Sequence, residues 1–160
     1  MISWKEVCEN PALKDLPYKI ETNRFDQIVM SPAYSWHGGY QVEIAALLKK
    51  LLPEGRVIAE CAVETTDGTK VPDVVWISRG RHEPMRRAFS FNVAPEICVE
   101  VLSGSNSTEE MRGKMRLYFT AGAEEVWLCN EDGVMSFFVS EGAVPASRLC
   151  PEFPTKIDWD

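Results

Sequence analysis

Two acidic residues lie inside segments that are otherwise apolar. Asp73 lies within residues 71–77 and Glu100 within residues 97–102, and both segments have the composition of inner β-strands. Strand alternation places each carboxylate on the same face as apolar neighbours. A buried carboxylate is costly unless a cation or hydrogen-bond donors compensate it, so each residue requires partners. The pair indicates a charged site on adjacent strands, two separate structural ion pairs, or carboxylates at exposed strand ends.

A lysine on the next predicted helix could join these carboxylates. Residues 108–121 have helical spacing, and Ser107 with Glu110 fits a capping box at the helix start. The apolar stripe of this helix consists of Met111, Met115, Tyr118 and Phe119. Lys114 lies about 70° from the centre of that stripe, so its side chain could reach over a sheet end. The alternative is a lysine that pairs with Glu110 one turn earlier.

Three motifs, in this order, resemble the Uma-two family of restriction endonucleases. They are Val71-Pro72-Asp73-Val74, then APEICVEVLS at residues 94–103, then Glu110, Lys114, Tyr118 and Gly122 at four-residue steps, followed by Glu125 and Trp127. The resemblance spans residues 71–127 with matching order and spacing. The family is itself similar to the PD-(D/E)XK nuclease superfamily. The resemblance therefore implies a restriction-endonuclease-like core, in which helices flank a central mixed β-sheet.

The resemblance also implies a site and a chemistry. Asp73 and Glu100 would be the carboxylate ligands of Mg²⁺ or Mn²⁺, because hard oxygen ligands suit such ions and Mg²⁺ keeps several of its waters. The backbone carbonyl of Val99 or Val101 could add a ligand. The metal would activate a water for hydrolysis of a phosphodiester bond. Lys114 would position that water or stabilise the charge that develops in the transition state.

One position departs from the superfamily pattern. The superfamily lysine usually lies two residues after the glutamate, where this chain has Leu102. The Uma-two pattern carries the lysine on the following helix, so Lys114 can take the role if its side chain reaches the carboxylates. Glu43 resembles the helix carboxylate of some nucleases of this type, and a solvated glutamate on the helix flank is the alternative. Glu60 could face the same cleft or pair with an arginine.

Other polar residues offer weaker signals. Four arginines follow the strand that carries Asp73: Arg79, Arg81, Arg86 and Arg87. Arginine binds phosphate through two parallel hydrogen bonds, so this loop could hold the DNA backbone, and a solvated loop is the alternative. His37 lies on the apolar face of the first long helix, which favours a buried, hydrogen-bonded histidine over a catalytic base.

The elements that must position these residues alternate between helical and strand periodicity. The predicted elements are a weak helix within residues 1–16, a strand pair at 18–29, a helix at 36–52 with Ser35 as N-cap, strand runs at 56–65 and 70–78 around an Asp-Gly turn, an inner strand at 95–102, the helix at 108–121, a hairpin around Asp132-Gly133 and a short strand near Arg148–Leu149. This order predicts an α/β (α+β) fold. We expect one domain over residues 1–160, with its motif core at 36–140.

Composition limits the class of protein. The chain has 160 residues, of which 45% are hydrophobic and 26% charged, and these values exclude a mainly disordered or fibrous chain. No apolar run approaches the roughly 20 residues of a membrane span, and no signal-peptide pattern is present. We therefore expect a cytoplasmic protein with no membrane partner. The five cysteines lack the spacing of a zinc ribbon or a disulfide framework, and Cys61, Cys98 and Cys129 are expected to be buried.

Charge distribution bears on the partner. The net charge is −7, but six of the seven excess negative charges lie in residues 121–160. Residues 69–120 carry 8 basic and 6 acidic groups, so a local phosphate site is compatible with the acidic total. DNA is the expected substrate, and a homodimer is expected by analogy with nucleases that pair to cut two strands. The alternatives are a catalytically inactive nuclease-fold module that binds nucleic acid or protein, and a hydrolase of small phosphorylated molecules.

Overall fold

The computed structural model describes residues 1–104 and 106–159. Its helices are α1 (Trp4–Glu9), α2 (Ser35–Leu51), α3 (Arg79–His82) and α4 (Thr108–Thr120), with 3₁₀ turns at Pro11–Leu13 and Glu83–Met85. Its strands are β1 (Tyr18–Thr22), β2 (Ile28–Pro32), β3 (Arg56–Ala59), β4 (Val63–Thr65), β5 (Gly68–Lys70), β6 (Val74–Ile77), β7 (Ile97–Val101), β8 (Glu125–Cys129), β9 (Met135–Val139) and β10 (Gly142–Val144).

Six strands form the central sheet, in the order β10-β9-β8-β7-β6-β3. Strands β7 and β8 are parallel, and the other neighbouring pairs are antiparallel. A parallel pair needs a crossover connection, which α4 supplies between β7 and β8. The hairpins β1–β2 and β4–β5 form two further small sheets. The predicted α+β fold with a central mixed sheet flanked by helices is therefore confirmed.

Different helices cover the two faces of this sheet. On one face, α2 packs its residues Tyr40, Ile44 and Leu48 into a cluster that includes Val74, Val99 and Trp127. On the other face, α4 packs Tyr118 into a cluster that includes Val75, Cys98 and Val126. Neighbouring residues of β6 and β7 alternate between these clusters, as the strand period requires. Glu100 therefore shares the face of Cys98 and points towards α4.

The strand runs predicted at 56–65 and 70–78 each divide into two strands. Strand β3, from the first run, pairs with β6, from the second run. Strands β4 and β5 pair with each other and form the hairpin. Glu60 has a φ of 51°, in the left-handed region, and this turn in the backbone ends β3. Pro72 has no N–H for strand pairing and separates β5 from β6. The division brings β6 into the central sheet and leaves Asp73 directly before its first residue.

One predicted helix boundary and one predicted strand are wrong. Helix α2 begins at Ser35 itself, and its N-cap is Tyr34, which makes no side-chain capping bond. Residues 148–149 do not form a strand, because both backbone N–H groups donate to the carboxylate of Glu125. The predicted capping box at the start of α4 is present, with Ser107 as the N-cap residue.

The cysteines behave as small apolar side chains. Cys61, Cys98 and Cys129 are buried, as predicted, and all five cysteines are free thiols. Burial raises the pKa of Cys61 and of Cys129 to about 12, so neither is a thiolate at neutral pH.

The helices were also compared with the length and apolarity of a membrane span. Across residues 1–104 and 106–159, no helix is long and apolar enough to cross a membrane.

Glu125 fastens the C-terminal segment to the sheet. Its side chain is buried, and its carboxylate accepts hydrogen bonds from Trp127 Nε1, Ser147 Oγ and the backbone N–H groups of Arg148 and Leu149. Alanine would leave these donors without their acceptor. We expect Glu125→Ala to lower the free energy of unfolding by on the order of 3 kcal/mol in urea denaturation.

The matched control for that measurement is Glu141→Ala. Glu141 is exposed between β9 and β10, so its replacement should change the free energy of unfolding by less than about 0.5 kcal/mol. Equal unfolding midpoints for the two variants would contradict the structural role of Glu125.

Candidate active site

Asp73 is fixed by the strand beside it. Its backbone N–H donates to the carbonyl of Val99 at 2.9 Å, which extends the β6–β7 pairing by one residue. Its Oδ2 accepts a hydrogen bond from the backbone N–H of Val101 at 2.7 Å. The residue is only 1% exposed. The backbone of β7 therefore sets both the position and the orientation of this carboxylate.

Glu100 lies on β7 and is 4% exposed. Its Oε1 accepts a hydrogen bond of 2.5 Å from the hydroxyl of Tyr118 on α4. The Nζ of Lys114 lies 3.1 Å from the same oxygen. Burial and the charge of Glu100 raise the pKa of Tyr118, so the phenol keeps its proton and remains a donor. The Asp73 and Glu100 carboxylates thus face one site from adjacent strands.

Lys114 reaches the site, where its ion-pair partners are Glu21 and Glu100 in place of Glu110 one helical turn earlier. The side chain of Glu110 accepts from the backbone N–H of Ser107 in the capping box. Lys114 Nζ instead lies 3.0 Å from both carboxylate oxygens of Glu21, in addition to its contact with Glu100. Lys114, on the helix that follows β7, therefore contacts Glu100. The superfamily lysine, two residues after the glutamate, would lie beside the same side chain.

Lys19 and Glu21 are site residues that the sequence analysis missed. Both lie on β1, two residues apart, so they share one face of that strand. Lys19 Nζ lies 3.1 Å from Asp73 Oδ1 and 3.3 Å from Glu100 Oε2. Glu21 accepts a hydrogen bond from the backbone N–H of Val71 at 2.6 Å. In the sequence, these two residues are marked by the alternation of polar and apolar side chains along β1, a short amphipathic strand.

His37 is buried and hydrogen-bonded, as predicted, and it contacts the site. Its Nε2 donates to the carbonyl of Val101 at 2.9 Å and lies 3.4 Å from Asp73 Oδ2. Its Nδ1 lies 3.2 Å from Gln41 Oε1, and Gln41 Nε2 donates to the backbone carbonyl of Asp73. Because both ring nitrogens face oxygen acceptors, the arrangement favours the doubly protonated imidazolium.

The charged groups of this site compensate one another. Burial favours a raised pKa for Asp73, but the hydrogen bond from His37 and the charge of Lys19 hold that pKa well below its usual value. Burial raises the pKa of Glu100, against the opposing charges of Lys114 and Lys19. The carboxylates of the site raise the pKa of both lysines despite their burial. When all are ionised, three carboxylates face three cations.

The site lies in the wall of a cavity of about 690 Å³. Six of its charged groups line this cavity: Lys19, Glu21, His37, Asp73, Glu100 and Lys114. Leu102 and Glu60 also line it, and Glu60 is exposed. Residues of both strands of the β1–β2 hairpin line the cavity, together with residues at the end of the central sheet.

Five residues predicted for the site lie elsewhere. Glu43 is exposed on α2 and is not among the described residues that line the cavity. The four arginines (Arg79, Arg81, Arg86 and Arg87) follow the last residue of β6, whereas Asp73 precedes its first, so roughly 15 Å of strand separates them from the site. Arg81 is occupied with the backbone carbonyls of Ala94 and Gly122.

The contacts of His37 predict a pH dependence of stability. Hydrogen bonding to Asp73 raises the pKa of His37, against the opposing effect of burial. Because the pKa of His37 is higher in the folded state, protonation of this residue stabilises the fold. The stabilisation is fully present below the unfolded-state pKa of about 6.5 and is lost as pH rises through the folded-state pKa. We expect the urea midpoint of the wild type to fall above pH 6.5, and His37→Gln to flatten this decline.

The control for this pH series is His82→Gln, which removes the other histidine, packed against Phe91 outside the cavity. This control should keep the decline of the wild type. Parallel pH profiles for the wild type and His37→Gln would show that the contact with Asp73 does not hold the proton.

Comparisons with known proteins agree with this architecture. A search of curated proteins found no match. A solved structure described as "a putative nuclease belonging to DUF820", from Anabaena variabilis, superimposes with a TM-score of 0.76 at 17% sequence identity, covering 98% of this chain and 95% of that one. At this identity the likeness establishes the fold. A family model described as "Putative restriction endonuclease" matches residues 13–147, so the chain belongs to the Uma2 family.

Proposed function

We propose that this protein is a metal-dependent endonuclease that hydrolyses DNA phosphodiester bonds with Mg²⁺ or Mn²⁺. The observation that carries this proposal is the convergence of Asp73, Glu100 and Lys114 on one cavity. Membership of a family described as restriction endonucleases, and a fold shared with a protein described as a nuclease, give the reaction class. Buried carboxylates beside a lysine would supply the ligands and the cation that such hydrolysis needs.

The residues present fit a divalent cation. Asp73 and Glu100 offer hard oxygen atoms at the cavity wall, and the ammonium of Lys19 already bridges them as a cation. Among residues 1–104 and 106–159, no group of three or more His, Cys, Asp or Glu side chains could hold a metal ion, so waters would complete the coordination. The carbonyls of Val99 and Val101 already accept hydrogen bonds and are less available as ligands.

The bound metal would supply Lewis-acid activation of a water and of the phosphoryl oxygen. Lys114 would orient the attacking water or stabilise charge on the phosphoryl oxygens, and Glu21 holds its ammonium in place at 3.0 Å. His37 and the Val101 N–H would keep the Asp73 carboxylate turned into the cavity. Tyr118 performs the same orienting function for Glu100. We also propose a homodimer, since cutting both strands of a duplex calls for two sites.

Cleavage of supercoiled plasmid DNA tests this function. We expect nicked or linear product with Mg²⁺ or Mn²⁺ and no product with EDTA. Cleavage that persists in EDTA would contradict metal dependence. Absence of cleavage with either metal, on both plasmid and single-stranded substrates, would contradict the endonuclease itself.

A catalytically inactive nuclease-fold module is the second candidate. It is favoured by two observations: Leu102 stands where the superfamily lysine usually lies, and Lys19 already satisfies both carboxylates. Such a module would bind DNA or a protein without cleaving either. DNA binding that is unaffected by metal and by Asp73→Asn, in the absence of cleavage, would favour this candidate.

A further inference from the structure

Lys19 occupies the space between the two carboxylates to which the proposed function assigns a metal. Its Nζ lies 3.1 Å from Asp73 Oδ1 and 3.3 Å from Glu100 Oε2. We propose that Lys19 is an intramolecular competitor for the divalent cation, so that a metal binds these carboxylates only when the Lys19 ammonium withdraws. This inference rests on the proposed function, because it concerns the same metal position.

The charges around the site require such an exchange. The Lys19 ammonium already contacts both proposed ligands, and Lys114 contacts Glu100 and Glu21. A divalent cation added to this buried group would face an ammonium at contact distance, and like charges repel strongly where water is excluded. Withdrawal of Lys19 removes one positive charge from between the two carboxylates, which then attract the metal.

The contacts of the two lysines identify Lys19 as the one that leaves. Both carboxylate partners of Lys19, Asp73 and Glu100, are the proposed metal ligands. Lys114 also contacts Glu21, which remains its partner whether or not a metal binds Glu100. Metal binding therefore removes both ion pairs of Lys19 but leaves one to Lys114.

The structure provides a route for the withdrawal. The far end of β1 is fixed to the body of the protein, because Thr22 Oγ1 accepts from the backbone N–H of Thr69 and Glu21 accepts from that of Val71. Lys19 lies nearer the other end of β1, beside the exposed Tyr18, and its side chain borders the 690 Å³ cavity. Its flexible four-carbon stem can swing the ammonium into this space while the strand stays in place.

Titration calorimetry with Mn²⁺ tests the competition directly. We expect Lys19→Met to bind Mn²⁺ about tenfold more tightly than the wild type, a change of the size that neighbours of metal ligands commonly produce. Lys14→Met removes an exposed lysine that does not line the cavity and is the matched control; its affinity should stay at the wild-type value. Equal affinities for Lys19→Met and the wild type, or equal gains in both variants, would overturn the inference.

A second measurement keeps the wild-type side chains. Reductive methylation of the folded protein, read by mass spectrometry, should modify Lys19 faster when Mg²⁺ is present, because the ammonium then leaves its two carboxylates. Lys14 is exposed and provides the internal reference, whose rate should not change. Unchanged labelling of Lys19 at saturating Mg²⁺ would overturn the competition.

These results separate the two proposals. If the wild type binds Mn²⁺ but Lys19 influences neither affinity nor labelling, the competition fails and the metal site stands. If no variant binds Mn²⁺, both the competition and the metal-dependent function fail.

Discussion

Asp73→Asn should reduce metal-dependent DNA cleavage by on the order of a thousandfold. The substitution preserves the shape of the side chain, and its amide oxygen can still accept from the Val101 N–H. It removes the negative charge that the proposed metal would need from this ligand and that now pairs with Lys19. The loss should therefore appear in turnover and in metal affinity, while the circular dichroism spectrum stays unchanged.

Asparagine is preferable to alanine at this position. From the sequence, two neighbouring carboxylates suggest that alanine at Asp73 or at Glu100 would abolish activity, leave folding intact and relieve the repulsion between them. The structure reverses that expectation, because alanine would leave the buried Val101 N–H without its acceptor and Lys19 with one carboxylate fewer. Asp132→Asn, in the exposed β8–β9 turn, is the matched control and should cleave at the wild-type rate. Wild-type cleavage by Asp73→Asn would remove this residue from the site.

Lys114→Ala should lower the cleavage rate by about 100-fold while changing Mn²⁺ affinity by less than about threefold. We expect the two effects to differ because the two oxygens of Glu100 have different partners. Oε1 contacts Lys114, whereas Oε2 faces Lys19. Removing the Lys114 ammonium leaves the two proposed ligands in place, but it removes the group proposed to orient the attacking water. Rapid-quench cleavage and calorimetry on the same preparation measure the two effects.

The control for Lys114→Ala lies on the same helix. Arg116→Ala removes an exposed cation from α4 and should leave both rate and affinity near the wild-type values. A collapse of metal affinity in Lys114→Ala, with the rate reduced only in proportion, would assign this lysine to metal binding instead of the chemical step.

The carboxylate pair was predictable because its signal is local. An acidic residue inside an apolar strand run marks a buried charge, and helical spacing placed Lys114 at the border of the α4 core. The family pattern added the order in which these three residues occur. The structure agrees, since Asp73 directly precedes β6, Glu100 lies on the adjacent β7, and Lys114 contacts Glu100.

The rest of the site was not predictable from local patterns. Lys19 lies 54 residues from Asp73 and 81 from Glu100, and alternation on β1 does not reveal what its polar face meets. The arginine loop had suitable composition for phosphate, but strand direction puts it at the far end of β6. Residue type describes what a side chain can bind, whereas topology decides which side chains meet.

The most direct test of the central claim is titration of Mn²⁺ into the wild type and Asp73→Asn at physiological salt. Binding to the wild type that is lost in the variant would agree with a metal held by Asp73 and Glu100, with Lys19 displaced. Binding of equal strength to both proteins would contradict the proposed site. It would show that Mn²⁺ binds without the Asp73 carboxylate, which is one of the two proposed ligands.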